Sequence, residues 1–367
     1  MTKFKVIISG GGTGGHIFPA IAIAKAIEKK AKNVEFLFVG AKGRMEMEKI
    51  PAEGYKIKGL WISGLQRRLT YKNILFPVKL IYSLLKSMII LYDFKPDIVI
   101  GTGGYASGPL LFAASVRGIP TIIQEQNSYP GITNKILSKY VQKICVAYDK
   151  MERYFPEDKI VVTGNPIRQD ILSYIDKHKS PSRLFSINKR NPTVLVIGGS
   201  LGAKTINNAI ANQIYFFKEN NINLIWQTGI NFKKEKIEDF LKDNHTGINI
   251  VDFIKDMALV YSLADIVVSR AGAIAISELC CIGKPVILVP SPNVSENHQY
   301  KNAQSLVNKK AAILVEDIHA NRKLVNSIFN LINNQNLQNE LINNIQKMRI
   351  INASDKIAEI VFKIVRQ

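Results

Sequence analysis

The stretch Ile8-Ser9-Gly10-Gly11-Gly12-Thr13-Gly14-Gly15-His16 decides the expected fold. It follows an apolar run at 4–8 and precedes apolar residues at helical spacing from Ile17 to Ile27. This order predicts a strand, a glycine loop and a helix. Glycine lets the loop backbone lie close to a ligand, and the helix directs unpaired N–H groups toward it. His16 adds an imidazole that titrates near neutral pH, so the stretch predicts an anion site beside a candidate base.

Strand-like and helix-like patterns alternate through the rest of the chain. The further predicted strands are 34–39, 97–101, 120–125, 143–147, 193–197, 223–227, 249–253, 265–269, 285–290 and 311–315. Such alternation is typical of parallel βαβ units, so we predict two doubly wound α/β domains. The periodicity breaks in the turn-rich segment 163–168, where we expect the domain boundary and a cleft.

Basic residues far outnumber acidic ones. The 367 residues include 49 Lys and Arg against 29 Asp and Glu, a formal net charge of +20. This balance favours a polyanion or an anionic membrane surface as partner. The plain alternative is coding bias in a Lys- and Asn-rich chain, because the basic residues are scattered as well as clustered. No nucleic-acid-binding motif accompanies the charge, so nucleic acid is not expected as a partner.

The three cysteines, Cys145, Cys280 and Cys281, form neither a disulfide framework nor a metal-binding spacing. We expect buried thiols in a reducing compartment. The N-terminus runs directly into the first predicted strand, so no secretion signal is expected.

The segment 74–92 is strongly apolar, but Pro77, Lys79 and Lys86 interrupt it, which makes it a poor transmembrane candidate. On a helical wheel its apolar residues cover a wider arc than the roughly 100° that one core contact needs. Basic residues lie just upstream, at Lys56, Lys58, Arg67, Arg68 and Lys72. Two interpretations remain open: a monotopic membrane-docking surface, or a wide but fully buried core helix.

Three further glycine loops follow predicted strands, at 101–105, 198–203 and 270–273. Loops at the carboxyl ends of strands line the crevice of open α/β sheets. Ser200 offers a hydroxyl to a phosphate oxygen, although a plain helix N-cap explains it equally well. The spacing Gly10-x-Gly12-x-x-Gly15 also matches a dinucleotide fingerprint, but the second strand has no acidic residue at its carboxyl end, where 38–42 reads Phe-Val-Gly-Ala-Lys, so a nicotinamide enzyme is not expected.

Candidate sugar-binding side chains lie in the second half of the chain. Glu278 is able to accept both hydroxyls of a ribose, and its plain alternative is a surface helix position. Gln299 and Asn302 lie three residues apart, and amides both donate to and accept from sugar hydroxyls. No Asp-x-Asp pair occurs, so no metal is expected, and leaving-group charge would fall to helix ends, Ser200 and Arg168.

Eight motifs in register across nearly the whole chain resemble one family. They read GGTGGH, GTGGYASGP, QEQN, GNPIR, GGSLGA, DFIKDM, SRAGA and NHQYKNA. Together they resemble the MurG family, glycosyltransferases that add N-acetylglucosamine to lipid I. The resemblance implies a GT-B fold, with two Rossmann-like domains, a cleft between them and a C-terminal helix crossing back. The implied parts are an acceptor and membrane-docking domain (1–164), a UDP-N-acetylglucosamine domain (165–340) and the returning helix (341–367).

The resemblance also implies contacts with the donor. These are Ser200 and Arg168 with the diphosphate, the backbone of Ile254 with uracil, Glu278 with ribose, Gln299, Asn302 and Asn127 with N-acetylglucosamine, and Ala273 in the SRAGA loop. Two positions depart from the family pattern: Ala275 stands where many members carry Thr, and His298 where some carry Gln. Both departures concern contacts near the diphosphate.

The reacting centre is implied to lie in the first domain. His16 is the implied general base, and Glu125 is a second carboxylate near the acceptor. Thr13, Gly14 and Gly15 are implied to close over the donor sugar and the acceptor diphosphate, and the acceptor loops contain Gly12, Gly103, Gly104 and Tyr105.

The implied activity is inverting, metal-independent transfer from UDP-N-acetylglucosamine to undecaprenyl-linked lipid I, without a cofactor, at the cytoplasmic face of the bacterial plasma membrane. Two alternatives stay open. A UDP-N-acetylglucosamine 2-epimerase shares the architecture but would not need the apolar and basic segment. A non-catalytic sugar-nucleotide sensor would dispense with His16 and Glu125.

Overall fold

The computed structural model describes residues 3–64, 75–168, 171, 185–199, 201–242 and 246–366. The predicted donor residue Ser200 and the basic residues Arg67, Arg68 and Lys72 lie outside these ranges. The chain divides into two compact units. Unit 1 contains Met1–Arg168 and Asn352–Gln367, and unit 2 contains Gln169–Ile351.

Each unit is built on one parallel sheet within the described residues. The strands are β1 (Phe4–Gly10), β2 (Val34–Ala41), β3 (Ile57–Leu60), β4 (Ile98–Gly103), β5 (Thr121–Glu125), β6 (Lys143–Val146), β7 (Ile160–Val162), β8 (Thr193–Ile197), β9 (Asn223–Gln227), β10 (Ile248–Val251), β11 (Ile266–Ser269), β12 (Val286–Leu288) and β13 (Ile313–Leu314). The sheet order is β3-β2-β1-β4-β5-β6-β7 in unit 1 and β10-β9-β8-β11-β12-β13 in unit 2.

Helices connect these strands and cover the sheets. They are α1 (Gly14–Lys30), α2 (Glu46–Ala52), α3 (Phe76–Phe94), α4 (Ser107–Val116), α5 (Ile132–Leu137), α6 (Lys204–Ala211), α7 (Ile214–Glu219), α8 (Glu238–Leu241), α9 (Met257–Leu263), α10 (Ala273–Ile282), α11 (His298–Val307), α12 (Ala320–Ile332), α13 (Gln335–Gln346) and α14 (Ala353–Val365). The inner strands β4, β5, β8 and β9 are buried along their whole length because helices cover both faces of a parallel sheet.

The core of unit 1 has one layer on each face of its sheet. Ile17 and Ile27 of α1 pack with Ile357 and Val361 of α14 on one face. Helices α3 and α4 cover the other face, with Leu110 among the buried residues. The C-terminal helix α14 therefore belongs to unit 1, because its apolar stripe is buried against α1.

The predicted strands match the observed ones to within a few residues, but the two edge strands of unit 1 were missed. Strand β3 carries Lys58 and Gly59 between its apolar ends, and β7 has only three residues. Edge strands are short and partly solvated, so they lack the long apolar run that identifies a central strand. Unit 1 resumes at Asn352 rather than at 341, because Leu341 of α13 is buried in the core of unit 2.

The three predicted buried thiols are buried in the structure. Cys145 lies in β6, and Cys280 and Cys281 lie in α10. Burial raises the pKa of the Cys145 and Cys280 thiols to about 12 and that of Cys281 to about 11. Protonated, buried thiols are chemically inert at neutral pH.

Helix α3 has an exposed apolar face in addition to its buried side, which includes Ile90 and Leu91. The exposed residues follow helical spacing and form what we call the α3 stripe: Val78, Ile81, Tyr82, Leu85, Ile89 and Tyr92. The buried side carries two serines, of which Ser83 donates to the carbonyl of Trp61 at 3.1 Å and Ser87 donates to Ser83 at 2.7 Å. The alternative of a fully buried core helix is therefore wrong. Among the described residues, no helix has the length and apolar content needed to cross a bilayer.

Candidate active site

Two glycine loops of unit 1 meet at the carboxyl ends of β1 and β4. The N–H of Gly11 donates to the carbonyl of Gly103 at 3.3 Å. Gly104 has a φ of +90°, and a Cβ on it would lie 2.5 Å from the carbonyl oxygen of Gly11. Only glycine tolerates this backbone conformation and this approach. The predicted acceptor residues Gly12, Gly103 and Gly104 are therefore brought together beside α1.

His16 lies in the first turn of α1 and is half-buried. Its Nδ1 lies 2.9 Å from the carbonyl oxygen of Gly11 and 3.4 Å from Oγ1 of Thr13. A carbonyl oxygen only accepts hydrogen bonds, so the contact with Gly11 requires the proton on Nδ1. Thr102 also donates its hydroxyl to the His16 carbonyl at 2.8 Å. This arrangement directs Nε2 toward Gly103, where a Cβ would lie only 2.9 Å away.

Glu46, the first residue of α2, is a functional candidate that sequence reasoning missed. Its side chain is 0% exposed. Oε2 accepts the N–H of Gly12 at 2.8 Å, and Oε1 accepts the N–H of Ala41 at 2.9 Å. Glu46 therefore joins the loop after β1 to the end of β2. Its only sequence signal is a position seven residues after the end of the predicted strand 34–39.

Glu125, the predicted second carboxylate, is 2% exposed and holds the loop that follows β5. One oxygen accepts the backbone and side-chain N–H groups of Asn127 at 3.0 and 3.2 Å. The other accepts the N–H of Gly131 at 3.2 Å and the amide of Asn134 at 2.8 Å. Burial raises the pKa of Glu125, against the lowering effect of these hydrogen bonds. The predicted donor residue Asn127 is thus positioned by Glu125.

A buried amide network lies beneath the same loops. Gln126 donates to the carbonyl of Thr102 at 2.6 Å, Gln124 donates to Asn165 at 2.9 Å, and Asn165 donates to the carbonyl of Gln126 at 3.0 Å. These contacts link the ends of β4 and β5 to the segment 163–168, with which the first part of unit 1 ends. Arg168, in that segment, places its guanidinium 6.0 Å from the ring centre of Phe18 in α1.

Tyr105 follows the second glycine loop and is half exposed. Its ring lies against the backbone of Gly64, where a Cβ would be 2.2 Å from the ring. The predicted acceptor residue therefore packs on the segment that leads toward α3.

In unit 2, Gln227 connects two segments predicted to bind the donor. Its amide donates to the carbonyl of Gly199 at 3.0 Å, and its carbonyl oxygen accepts the N–H of Ile254 at 3.0 Å. Both contacts are made at the carboxyl end of β9. Gln227 was not singled out in the sequence, because nothing local to it shows that it bridges residues 28 and 27 positions away.

Glu278 and Ala273 lie on α10. Glu278 is buried, and the hydroxyl of Tyr261 donates to its Oε2 at 3.5 Å. Ala273 is the first residue of the helix. The neighbouring Arg270 forms a partly buried ion pair with Asp317 and donates to the carbonyl of Val289 at 3.0 Å, so its guanidinium stabilises unit 2.

The two predicted sugar-reading amides lie on α11. Gln299 accepts the N–H of Ser291 at 2.8 Å, and the buried Asn302 donates to the carbonyl of Ala271 at 3.4 Å. Both therefore hold loops at strand ends of unit 2. The atypical His298 begins α11, and the atypical Ala275 lies half-buried in α10.

The side chains around the glycine loops do not favour metal binding. Within the described ranges, no three His, Cys, Asp or Glu side chains lie close enough together to hold a metal ion. The available groups are an imidazole, backbone N–H groups, amides and isolated carboxylates. They suit proton transfer and recognition of sugars and phosphates.

Two parallel α/β sheets, each with a glycine loop after its first strand, and a histidine in the first turn of α1 are the features expected of a GT-B glycosyltransferase. Both units also match family models. The glycosyltransferase family 28 N-terminal domain covers residues 6–146, and the glycosyltransferase family 28 C-terminal domain covers residues 193–357. The chain belongs to glycosyltransferase family 28.

Named relatives narrow the family further. The chain is 52% identical, over 99% of its length and 97% of the relative's, to a Cytophaga hutchinsonii protein named UDP-N-acetylglucosamine--N-acetylmuramyl-(pentapeptide) pyrophosphoryl-undecaprenol N-acetylglucosamine transferase. The structure of Acinetobacter baumannii MurG matches with a TM-score of 0.77 at 27% identity, over 99% of this chain and 100% of that one. The predicted membership of the MurG family and the predicted GT-B fold are confirmed.

An epimerase shares the architecture at greater distance. The UDP-GlcNAc 2-epimerase of Neisseria meningitidis, solved with UDP-GlcNAc bound, has a TM-score of 0.70 over 98% of this chain and 100% of that one. Its sequence identity is only 18%. That likeness concerns the fold alone and does not favour epimerisation here.

Proposed function

We propose that this protein transfers N-acetylglucosamine from UDP-N-acetylglucosamine to the C4 hydroxyl of the N-acetylmuramyl unit of lipid I, with inversion, to give lipid II. The observation that supports this proposal most strongly is the geometry of His16, in a chain that is 52% identical to a protein named as a transferase of this kind. With Nδ1 on the Gly11 carbonyl, the second ring nitrogen is the one able to take a proton.

His16 acts as the general base in this mechanism. Nε2 takes the proton of the C4 hydroxyl as that oxygen attacks C1 of N-acetylglucosamine and UDP leaves from the opposite face. The product is a β-1,4 linkage. General base catalysis contributes a factor of about 10² to 10⁴ in rate, or roughly 3 to 5 kcal/mol. Glu125 is a poorer candidate, because four N–H groups already donate to its buried carboxylate.

Unit 2 binds the donor in this proposal. Glu278 accepts hydrogen bonds from the ribose hydroxyls, the backbone of Ile254 contacts uracil, and Gln299 and Asn302 bind N-acetylglucosamine. The diphosphate lies at the loop that precedes α6, where backbone N–H groups and the helix dipole favour negative charge. Arg168 and Ser200 add charge-assisted or neutral hydrogen bonds to its oxygens. No metal ion or cofactor takes part.

The α3 stripe docks the protein on the cytoplasmic face of the plasma membrane, where the polyprenyl chain of lipid I resides. A groove of about 700 Å³ beside it is lined by Tyr82, Leu85, Ile89 and three lysines, Lys42, Lys58 and Lys86. Apolar residues insert at the bilayer boundary, and each nearby lysine contributes about 1 kcal/mol with anionic lipid.

The test is transfer of radiolabelled N-acetylglucosamine from its UDP donor to a short-chain lipid I analogue, with and without EDTA. We expect the disaccharide product at equal rates in both. Free N-acetylmannosamine without disaccharide would instead mean epimerisation. Loss of the product in EDTA, restored by a divalent cation, would contradict metal-independent transfer.

A further inference from the structure

Glu46 is a buried carboxylate for which the mechanism above has no use. Both of its oxygens accept backbone N–H groups, as an ionised carboxylate does, and both bonds reach strand ends. Burying a charge is costly unless hydrogen bonds compensate it. A neutral amide has only one acceptor oxygen and would leave one of the two N–H groups unpaired, so the join requires a carboxylate, which also brings a negative charge beneath the loop.

The charge lies next to a single peptide unit, the one between Gly11 and Gly12. Its N–H donates to Oε2 of Glu46 at 2.8 Å, and its carbonyl oxygen accepts from Nδ1 of His16 at 2.9 Å. Carboxylate, peptide and imidazole therefore form one continuous chain of hydrogen bonds. Successive bonds in such a chain polarise and strengthen one another.

The two glycines are required for this arrangement. A Cβ on Gly11 would lie 2.1 Å from Oε1 of Glu46, and Gly12 has a φ of +85°. Gly40 leaves room for the same side chain, since a Cβ there would lie 2.5 Å from Cγ of Glu46. Gly11 and Gly40 thus make space for the carboxylate, and Gly12 supplies the positive φ of the loop above it.

We propose that Glu46 is a positioning residue for His16, acting through the Gly11–Gly12 peptide to hold the proton on Nδ1 and leave Nε2 as the base. The carboxylate polarises the peptide through its hydrogen bond with the Gly12 N–H. This polarisation makes the Gly11 carbonyl a stronger acceptor for the imidazole N–H. A carboxylate bonded directly to a catalytic histidine fixes its tautomer in the same way, here with one peptide inserted between them. The inference rests on the proposed role of His16 as the base.

The test compares Glu46→Gln with the full-length parent. A Gln side chain keeps the shape but loses the charge and one of the two acceptors. We expect kcat to fall about 10- to 100-fold while KM for UDP-N-acetylglucosamine stays within about twofold, as for other partners that orient a histidine. Nitrogen-15 NMR of histidine-labelled protein should show Nδ1–H at His16 in the parent and a larger Nε2–H population in the variant.

A double variant separates positioning from general support of the fold. If Glu46 acts through His16, then adding Glu46→Gln to His16→Ala changes kcat by less than twofold, because the coupled effect has already been lost. A further tenfold loss in the double variant would overturn the proposal. An unchanged tautomer in Glu46→Gln would overturn it as well.

Two controls complete the experiment. Asp97→Asn makes the same chemical change at a carboxylate that accepts the Lys5 N–H at the amino ends of β1 and β4, away from the glycine loops, and should leave the His16 spectrum unchanged. Glu46→Asp keeps the negative charge on a side chain that is shorter by one methylene group. If the Glu46→Gln protein does not fold, kcat, KM and the His16 spectrum are measured on Glu46→Asp instead. An active His16→Ala variant would remove the base role, whereas the tautomer spectrum would still test the link to Glu46.

Discussion

The two units repeat one plan, a strand, a glycine loop and a helix, but they hold the loop with different chemistry. In unit 1 a buried carboxylate, Glu46, and an imidazole, His16, are bonded to the loop after β1. In unit 2 the loop after β8 is held by a neutral amide, Gln227, through the carbonyl of Gly199. Another amide, Asn207, bonds the carbonyl of Thr228 at 2.7 Å, next to Gly202.

The difference matches the chemistry proposed for each loop. A carboxylate under the first loop stabilises the positive charge that His16 gains as it takes the proton of the C4 hydroxyl, since charges interact strongly where water is excluded. Neutral amides under the second loop leave the dipole of α6 unopposed, so this loop suits the donor diphosphate. Acid–base chemistry in unit 1 and donor binding in unit 2 should therefore be separable by mutation.

The largest expected effect is on the chemical step. His16→Ala should lower kcat by about 10² to 10⁴, because the general base is lost. The dissociation constant of UDP-N-acetylglucosamine should change little, which isothermal titration calorimetry would measure. His319→Ala, a change at an exposed histidine of unit 2, is the matched control. A comparable loss of donor affinity in His16→Ala would make this residue a binding group.

Donor binding should respond next. Gln227→Leu keeps the volume but leaves the Gly199 carbonyl and the Ile254 N–H without this partner, at about 1 to 3 kcal/mol for each group that stays unsatisfied. We expect KM for the donor to rise about 10- to 100-fold with a smaller change in kcat. Gln338→Leu removes two similar bonds, to the carbonyls of Leu331 and Ile332, and should leave donor KM unchanged. Equal effects of the two variants would refute a specific role for Gln227.

Membrane docking should depend on unit 1 alone. Leu85 is 62% exposed on the α3 stripe, and Leu85→Glu should weaken binding to phosphatidylglycerol vesicles about tenfold, from a loss of roughly 1.5 kcal/mol or more of apolar transfer. Ile318 of unit 2 is 82% exposed, yet Ile318→Glu should have no effect in the same sedimentation assay. Equal losses would show that the stripe has no special role.

The smallest expected effect concerns the thiols. All three have a raised pKa through burial, so disulfide reagents should label them only during local opening. UDP at about four times its dissociation constant should slow labelling of Cys280 and Cys281 in unit 2 about fivefold. Cys145 in unit 1 should be labelled at an unchanged rate. Single-site variants read by mass spectrometry would distinguish the three, and equal slowing at Cys145 would place UDP binding in both units.

Local patterns predicted most of the fold. The strands at 193–197 and 223–227 have the predicted bounds, because a short run of buried β-branched and aromatic residues specifies a central strand. The edge strand Ile57–Leu60 escaped notice, since its polar Lys58 weakens that signal. The apolar width of α3 correctly pointed to an exposed face.

The site was predictable only where its residues share a motif. Thr13 and His16 lie three residues apart in one motif, so their closeness could be inferred. Glu46 and Gln227 act through backbone groups that are 34 and 28 positions away, and no local pattern encodes such a pairing. Carboxylates and amides far from the glycine motifs look like ordinary surface residues until the strand ends are placed side by side.

One experiment tests most directly whether acid–base chemistry belongs to unit 1 and donor binding to unit 2. It measures the single-turnover rate of transfer to a lipid I analogue and the affinity for the donor, in His16→Ala and in Gln227→Leu. We predict a rate loss of about 10² or more with unchanged donor affinity in His16→Ala. In Gln227→Leu we predict weakened donor affinity with a largely preserved rate at saturating donor. A His16→Ala protein that transfers at the parental rate, or that no longer binds the donor, would contradict the account.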